Sequence, residues 1–233
     1  MAGILYGVGP GDPELLTIKA ARILKTCDVI GIPTADRTRC AAFRIACKAV
    51  PDIEKKPVAA VSIPMTTDID KLNLAYDRGC EVLSKELDAG KSVAFVNLGD
   101  PSVYGTYMEL HGRMAARGYC ARLVSGVPSF CAAASALGIP LASKKEQLHI
   151  LPGCYERQEV ELYPGTRVLM KSGGKISQVK QKLVDLEESG KINAGAVVNC
   201  GMENEVICRD IRDLDEDAGY FTTIIVKETW SDI

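Results

Sequence analysis

In the first half of the chain, short continuous apolar runs trade places with longer stretches of helical periodicity. Gly3 to Val8 is such a run ending in glycines, and from Glu14 onward Leu15, Leu16, Ile18, Ala21 and Leu24 recur at the spacing of one helix face. The opening is expected to be strand, loop, helix. Asp28-Val29-Ile30-Gly31-Ile32-Pro33 reads as the next strand, followed by a polar, arginine-bearing loop and the apolar stretch Phe43-Arg44-Ile45-Ala46. Leu72, Ala75, Tyr76, Gly79, Val82, Leu83 and Leu87 predict a long helix that Gly90 stops, and Ser92 to Leu98 predicts a buried strand. A helix carrying Tyr107, Leu110 and Met114 follows and ends near Gly118. Ala121 to Ser125 then reads as a strand, and Gly126-Val127-Pro128-Ser129 as a turn into an alanine-rich helix. Near-continuous apolar strands alternating with helices imply a parallel sheet covered on both faces.

The second half has a different texture. Leu148 to Leu151, Arg167 to Met170, Ala196 to Asn199, Val206 to Arg209 and Phe221 to Val226 read as strands, with one long helix around Ile176 to Glu188. The expected fold class is therefore α/β in two domains: residues 1–126 as a parallel sheet with flanking helices, and residues 127–233 as a smaller mixed α/β domain. No internal repeat or low-complexity segment interrupts the pattern.

Composition adds constraints on partners. At 233 residues, with 47% hydrophobic and 25% charged residues, the chain has the make-up of an ordered globular protein. No apolar stretch approaches the roughly 20 residues needed to span a bilayer, and the first residues lack a basic segment with a long apolar run, so a membrane-free, cytoplasmic protein is expected. The nine cysteines are scattered and form no C-x-x-C pair, which fits reduced thiols better than a disulfide framework or a zinc knuckle; no metal is expected. A formal net charge of −2 argues against a surface built to neutralise nucleic-acid phosphates.

Two loops carry candidate chemistry. Gly7-Val8-Gly9-Pro10-Gly11-Asp12 begins like the dinucleotide fingerprint G-x-G-x-x-G, but Asp12 fills the third glycine position and Pro10 stiffens the turn. Such a loop either lets a ligand approach the backbone closely or is merely a tight turn. Leu98-Gly99-Asp100-Pro101-Ser102-Val103-Tyr104-Gly105-Thr106 follows a strand, where open α/β sheets bind ligands. An acid there does not cradle phosphate; it suits hydroxyls and an ammonium or sulfonium charge. An Asp-Pro turn without a ligand is the alternative.

Taken together, Gly7-Val8-Gly9-Pro10-Gly11-Asp12-Pro13-Glu14-Leu15-Leu16-Thr17, Gly99-Asp100-Pro101 and Val124-Ser125-Gly126-Val127-Pro128-Ser129 resemble the tetrapyrrole methylase family in order and spacing, from Leu5 to about Lys227. Within it the chain looks most like the carbon-20 methyltransferases acting on precorrin-2 or cobalt-precorrin-2 in cobalamin biosynthesis. Ile63-Pro64-Met65-Thr66, the long Gly99 loop through Met108, and Gly126 to Ala134 carry that likeness. Ser129-Phe130 stands where several relatives carry Thr-Ala, and Gly105 where related chains often have serine. Another member, such as a diphthine synthase or a uroporphyrinogen-III methyltransferase, is the alternative within the family. A nucleotide-dependent oxidoreductase is the alternative outside it, although the third glycine and an acidic ribose-binding residue are missing.

The resemblance implies S-adenosylmethionine bound in a cleft between the domains. By motif position the implied contacts are Pro10, Gly99, Asp100, Val103, Thr106, Ser129, Phe130, Met170, Gly201, Met202, Thr222 and Thr223. It also implies a homodimer and a small-molecule tetrapyrrole substrate. A macrocycle fringed with carboxylates calls for guanidinium groups, and Arg37, Arg39 and Arg44 are the candidate clamp, a solvated charged loop being the alternative; Lys144, Lys145 and Lys171 are weaker candidates. No proton-removing base is identified, and His111 and His149 read as structural or surface residues.

Overall fold

Five short strands carry the first part of the chain: β1 (Ile4–Val8), β2 (Val29–Ile32), β3 (Val58–Ala60), β4 (Val93–Val96) and β5 (Cys120–Val124). In the computed structural model, which describes residues 3–8, 12–152, 162–171 and 175–228, they form one all-parallel sheet in the order β3-β2-β4-β1-β5. Every residue of β2 and β4 is buried, because helices cover both faces and leave no solvent side for polar alternation. One face packs Val8, Ile30 and Val96 against Leu24 of α1 (Ile18–Thr26) and Phe43 of α2 (Ala41–Ala49). The other packs Leu5, Val93 and Phe95 against Leu83 of α3 (Ile69–Asp88) and Leu110 of α4 (Thr106–Ala116).

Local signals place the helix ends. Thr17 Oγ1 accepts from Ala20 N–H at 3.2 Å to start α1, Asp68 caps α3 through Lys71 N–H at 3.1 Å, and Gly90 follows α3 in the left-handed region at φ +78°. On the outer side, Arg113 of α4 pairs with Asp77 of α3 at 2.9 Å and lies over the Tyr76 ring. β3 has no counterpart in the sequence reading: a three-residue run is too short for any periodicity to register.

The chain divides into two compact units, Met1–Pro128 and Ser129–Ile233. The second is built on β6 (Leu148–Pro152), β7 (Thr166–Met170), β8 (Asn193–Val198), β9 (Val206–Cys208) and β10 (Thr222–Lys227), ordered β6-β7-β10-β8-β9. Only β6 and β7 run parallel, so the sheet is mixed as expected, with as many strands as the first. One face packs Leu169, Ile224 and Val226 against Ile176 and Leu183 of α6 (Ile176–Glu188). The other packs Val197 and Ile225 against Ala133 and Leu137 of α5 (Ser129–Leu137). At the end of β10, buried Lys227 donates to Pro140 O, Glu146 Oε2 and Thr166 Oγ1, each at 2.9 Å, which satisfies a charge that would otherwise be costly inside a protein.

Candidate active site

Because all five strands of the first unit are parallel, the loops that follow them leave from a single edge, where open α/β sheets bind ligands. The loop after β4 is the best defined. Gly99 adopts φ +68° and turns the chain; the Asp100 carboxylate then accepts from Ser102 N–H at 2.8 Å, Ser102 Oγ at 2.5 Å and Gly126 N–H at 2.9 Å. Asp100 thus ties the loop after β4 to the loop after β5. Its burial alone would raise the carboxyl's pKa, but the Ser102 side chain and the N–H groups of Ser102 and Gly126 outweigh that and hold it below the ordinary carboxylate value. A similar tie joins the start of α1 to the end of β5, where Thr17 Oγ1 donates to Ser125 O at 3.2 Å.

Val103 is half-buried in this loop, and Thr106 is the first residue of α4, whose N-cap Gly105 makes no side-chain capping bond. Gly105 is present for packing: a Cβ there would lie 2.5 Å from Pro101 O and 2.8 Å from Asn97 Nδ2. Gly7 has a comparable reason, since a Cβ would collide with the Tyr107 ring, whose hydroxyl donates to Arg122 O at 2.9 Å. Pro10, with Gly9 and Gly11, lies outside the described residues.

Arg37, Arg39 and Arg44 leave the same edge after β2, all exposed. Two of them are partly engaged by the protein: Arg37 Nη1 donates to Glu54 O at 3.2 Å and Arg44 Nη1 to Thr38 O at 3.3 Å. Arg39 makes no side-chain hydrogen bond among the described residues, which makes it the most available guanidinium of the three.

In the second unit the register gathers several candidates at one end of the sheet. Met170 closes β7 opposite Thr223 near the start of β10, and Thr222 pairs with Val198, the last residue of β8. The turn that follows β8 returns there through Asn199 N–H to Phe221 O at 2.9 Å. It contains Gly201 at φ +74°, whose N–H donates to Glu205 Oε2 at 2.6 Å, and Met202. Thr222 and Thr223 are both buried, and as neighbours in a strand they point to opposite faces. Thr222 uses its hydroxyl on Gly219 O at 2.7 Å, so a ligand meets at most one of the two threonines through a free side chain. Ser129 opens α5, and Phe130 is buried on it.

Both histidines have structural partners. His111 Nδ1 lies 3.4 Å from Tyr107 Oη, and His149 stacks on Tyr163 with its Nε2 3.2 Å from Gln147 Oε1. Lys171 follows β7 at φ +62°, and desolvation lowers its amine's pKa. Lys144 and Lys145 lie on the connection from α5 to β6, away from the strand ends that gather Met170 and Thr223. Among the described residues no group of three His, Cys, Asp or Glu could hold a metal, and no helix is long and apolar enough to cross a membrane. The tie from the Gly126 N–H to Asp100 was missed by sequence reasoning, because a bond between residues 26 apart leaves no local pattern to find.

Residues 4–215 match the family model of the tetrapyrrole (corrin/porphyrin) methylases. The chain is 31% identical to a precorrin-2 C(20)-methyltransferase from Sinorhizobium sp, over 97% of this chain and 94% of that protein. It is 29% identical to a cobalt-precorrin-2 C(20)-methyltransferase from Salmonella typhimurium, over 99% of this chain and 98% of that protein. The fold resembles the solved uroporphyrin-III C-methyl transferase from Thermus thermophilus complexed with S-adenyl homocysteine, with a TM-score of 0.67 at 21% identity, covering 98% of each chain. A family match that spans both units, on the fold its members share, makes the assignment plain: this chain is a methyltransferase that belongs to the tetrapyrrole (corrin/porphyrin) methylases.

Proposed function

We propose that this enzyme transfers a methyl group from S-adenosylmethionine to carbon-20 of precorrin-2 or cobalt-precorrin-2 in cobalamin biosynthesis. The observation that carries this reading is similarity along nearly the whole chain to two carbon-20 methyltransferases, one named for each form of the substrate.

The donor set fits the cofactor. The proposed contacts, Pro10, Gly99, Asp100, Val103, Thr106, Ser129, Phe130, Met170, Gly201, Met202, Thr222 and Thr223, comprise a carboxylate, hydroxyls, backbone groups and apolar walls. None is cationic, as suits a ligand with a sulfonium and no phosphate. When bound, S-adenosylmethionine supplies a methyl group activated by its sulfonium. The work left to the protein is to hold donor and acceptor in line and keep water out. Val103 and Met170 offer apolar surface for the adenine. The uncapped first turn of α4 offers N–H groups to the amino-acid carboxylate. Arg39, with Arg37 and Arg44, receives the carboxylates of the macrocycle.

Incubation with methyl-labelled S-adenosylmethionine and either metal-free precorrin-2 or cobalt-precorrin-2, followed by mass and carbon-position analysis, tests the reading. One label at carbon-20 on at least one of the two is expected. Label on neither, or at another carbon, sinks the assignment.

A further inference from the structure

Two side chains from different strand ends close on one peptide bond. β5 makes its last ladder pair between Val124 and Val8, so the Ser125 C=O and the Gly126 N–H that follow lie beyond the sheet. Thr17 Oγ1, at the start of α1, donates to Ser125 O at 3.2 Å, and Asp100 Oδ2, after β4, accepts from Gly126 N–H at 2.9 Å. That carbonyl and that N–H are the two ends of a single planar unit. Asp100 reaches it past the end of β1, which lies between β4 and β5 in the sheet. Ser125 is exposed, so water is at hand for its carbonyl. The two side chains therefore set the direction of the peptide rather than merely satisfy its polar groups.

The hydroxyl of Thr17 is fully committed in this arrangement. Its oxygen accepts from Ala20 N–H at 3.2 Å as the N-cap of α1, which leaves its one proton for Ser125 O. Asp100 is held asymmetrically. Oδ1 accepts from both the N–H and the hydroxyl of Ser102, whereas among the described residues only the Gly126 N–H reaches Oδ2. Oδ2 is thus the oxygen with capacity left for a ligand hydroxyl or ammonium group. A donor on the carbonyl of a peptide polarises it and strengthens its N–H, so the bond from Thr17 reinforces the bond that aims Oδ2. Without the Thr17 hydroxyl the peptide is free to turn, and Oδ2 loses a fixed direction. We propose that Thr17 is a positioning residue for the cofactor, acting through the Ser125–Gly126 peptide on Asp100. This rests on the proposed contact of Asp100 with S-adenosylmethionine and extends it to a residue outside the contact set.

The test compares Thr17→Ser, Thr17→Asp and Thr17→Val with the wild type, and combines Thr17→Val with Asp100→Ala. It reads thermal midpoint, calorimetric affinity for S-adenosylhomocysteine, and KM and kcat for S-adenosylmethionine with precorrin-2 as acceptor. Serine keeps both bonds and should hold the affinity within about twofold of wild type. Aspartate keeps the helix cap but at pH 7 has no proton for Ser125 O, while valine keeps the shape of threonine and makes neither bond. Both should weaken S-adenosylhomocysteine about five- to tenfold, the scale of one hydrogen bond, and raise KM more than they lower kcat. In the Asp100→Ala background, Thr17→Val should add less than about twofold. An aspartate variant that binds like wild type beside a weak valine variant traces the effect to the cap and overturns the proposal. So does a valine variant that loses thermal midpoint but no affinity. Full additivity in the double variant overturns it as well, since Thr17 would then act without Asp100. Asp100→Ala with wild-type affinity removes the cofactor contact and the Thr17 role together. Wild-type protein that binds S-adenosylhomocysteine yet methylates neither precorrin-2 form defeats the proposed carbon-20 reaction and leaves the Thr17 assignment standing.

Discussion

At the scale of single residues, Asp100 shows how one side chain can carry two roles. Both carboxylate oxygens are engaged by Ser102 and Gly126 in the protein alone, so substitution acts on the loop as well as on any cofactor. The two effects separate by pH. The folded carboxyl titrates below its unfolded value of about 3.9. Its contribution is therefore complete above that value and is lost as pH falls through the lower folded value. The group is partly solvent-screened, so the tie is worth about 1 kcal/mol. Asp100→Ala is expected to lower the thermal midpoint by about 2–4 °C at pH 7, and by progressively less as pH falls toward about 3. Melting both proteins across that range checks it, and a gap that stays constant would mean the carboxylate charge contributes nothing. The motif around Asp100 was legible in the sequence. Its partner was not, because the Gly126 N–H is brought to it by the pairing of β4 and β5 with β1 and by no spacing along the chain.

At the scale of elements, helix α4 is held on β1 by the contact between Tyr107 and Gly7. The Tyr107 ring is fully buried over the glycine, and its hydroxyl bonds Arg122 O on β5, so one side chain sets the distance of α4 from two strands. Burial pushes its phenol well above the ordinary value, so the hydroxyl stays a donor at any working pH. Gly7→Ala should cost about 1–3 kcal/mol through overpacking. In the Tyr107→Leu background the same change should cost measurably less. Urea midpoints of the two single variants and the double variant form the cycle; strict additivity would show that the ring and the glycine do not meet. The periodic elements were legible for the same reason that they pack. α6 spans Ile176–Glu188, as its apolar spacing predicted, because Ile176, Val179, Leu183 and Leu186 all face one sheet. The strand order and the short β3 were not legible, since pairing depends on residues remote in sequence and three residues hold no period.

At the scale of the whole molecule, an all-parallel first sheet with its loops at one edge is shared by methyltransferases of this family and by nucleotide-dependent oxidoreductases, so architecture alone leaves the cofactor open. The difference lies in what the edge presents. The loop after β4 offers a carboxylate, a hydroxyl and an uncapped helix turn, and Asp12 stands where a dinucleotide fold needs its third glycine. A ligand that binds only the folded chain stabilises it by an amount set by its concentration relative to Kd, about 2.7 kcal/mol at a hundredfold excess. For a chain of this size that corresponds to a rise of about 5–10 °C in thermal midpoint. S-adenosylhomocysteine at a hundred times its calorimetric Kd is expected to produce this rise. NAD at the same concentration should move the midpoint by less than about 1 °C, because its pyrophosphate would face the carboxylate and find no glycine cradle. The reverse ranking, with NAD stabilising and S-adenosylhomocysteine inert, would assign the edge to dinucleotide chemistry despite the family match. Equal stabilisation by both would show that the adenosine they share is all this edge reads, and that the Asp100 loop does not distinguish a sulfonium from a pyrophosphate.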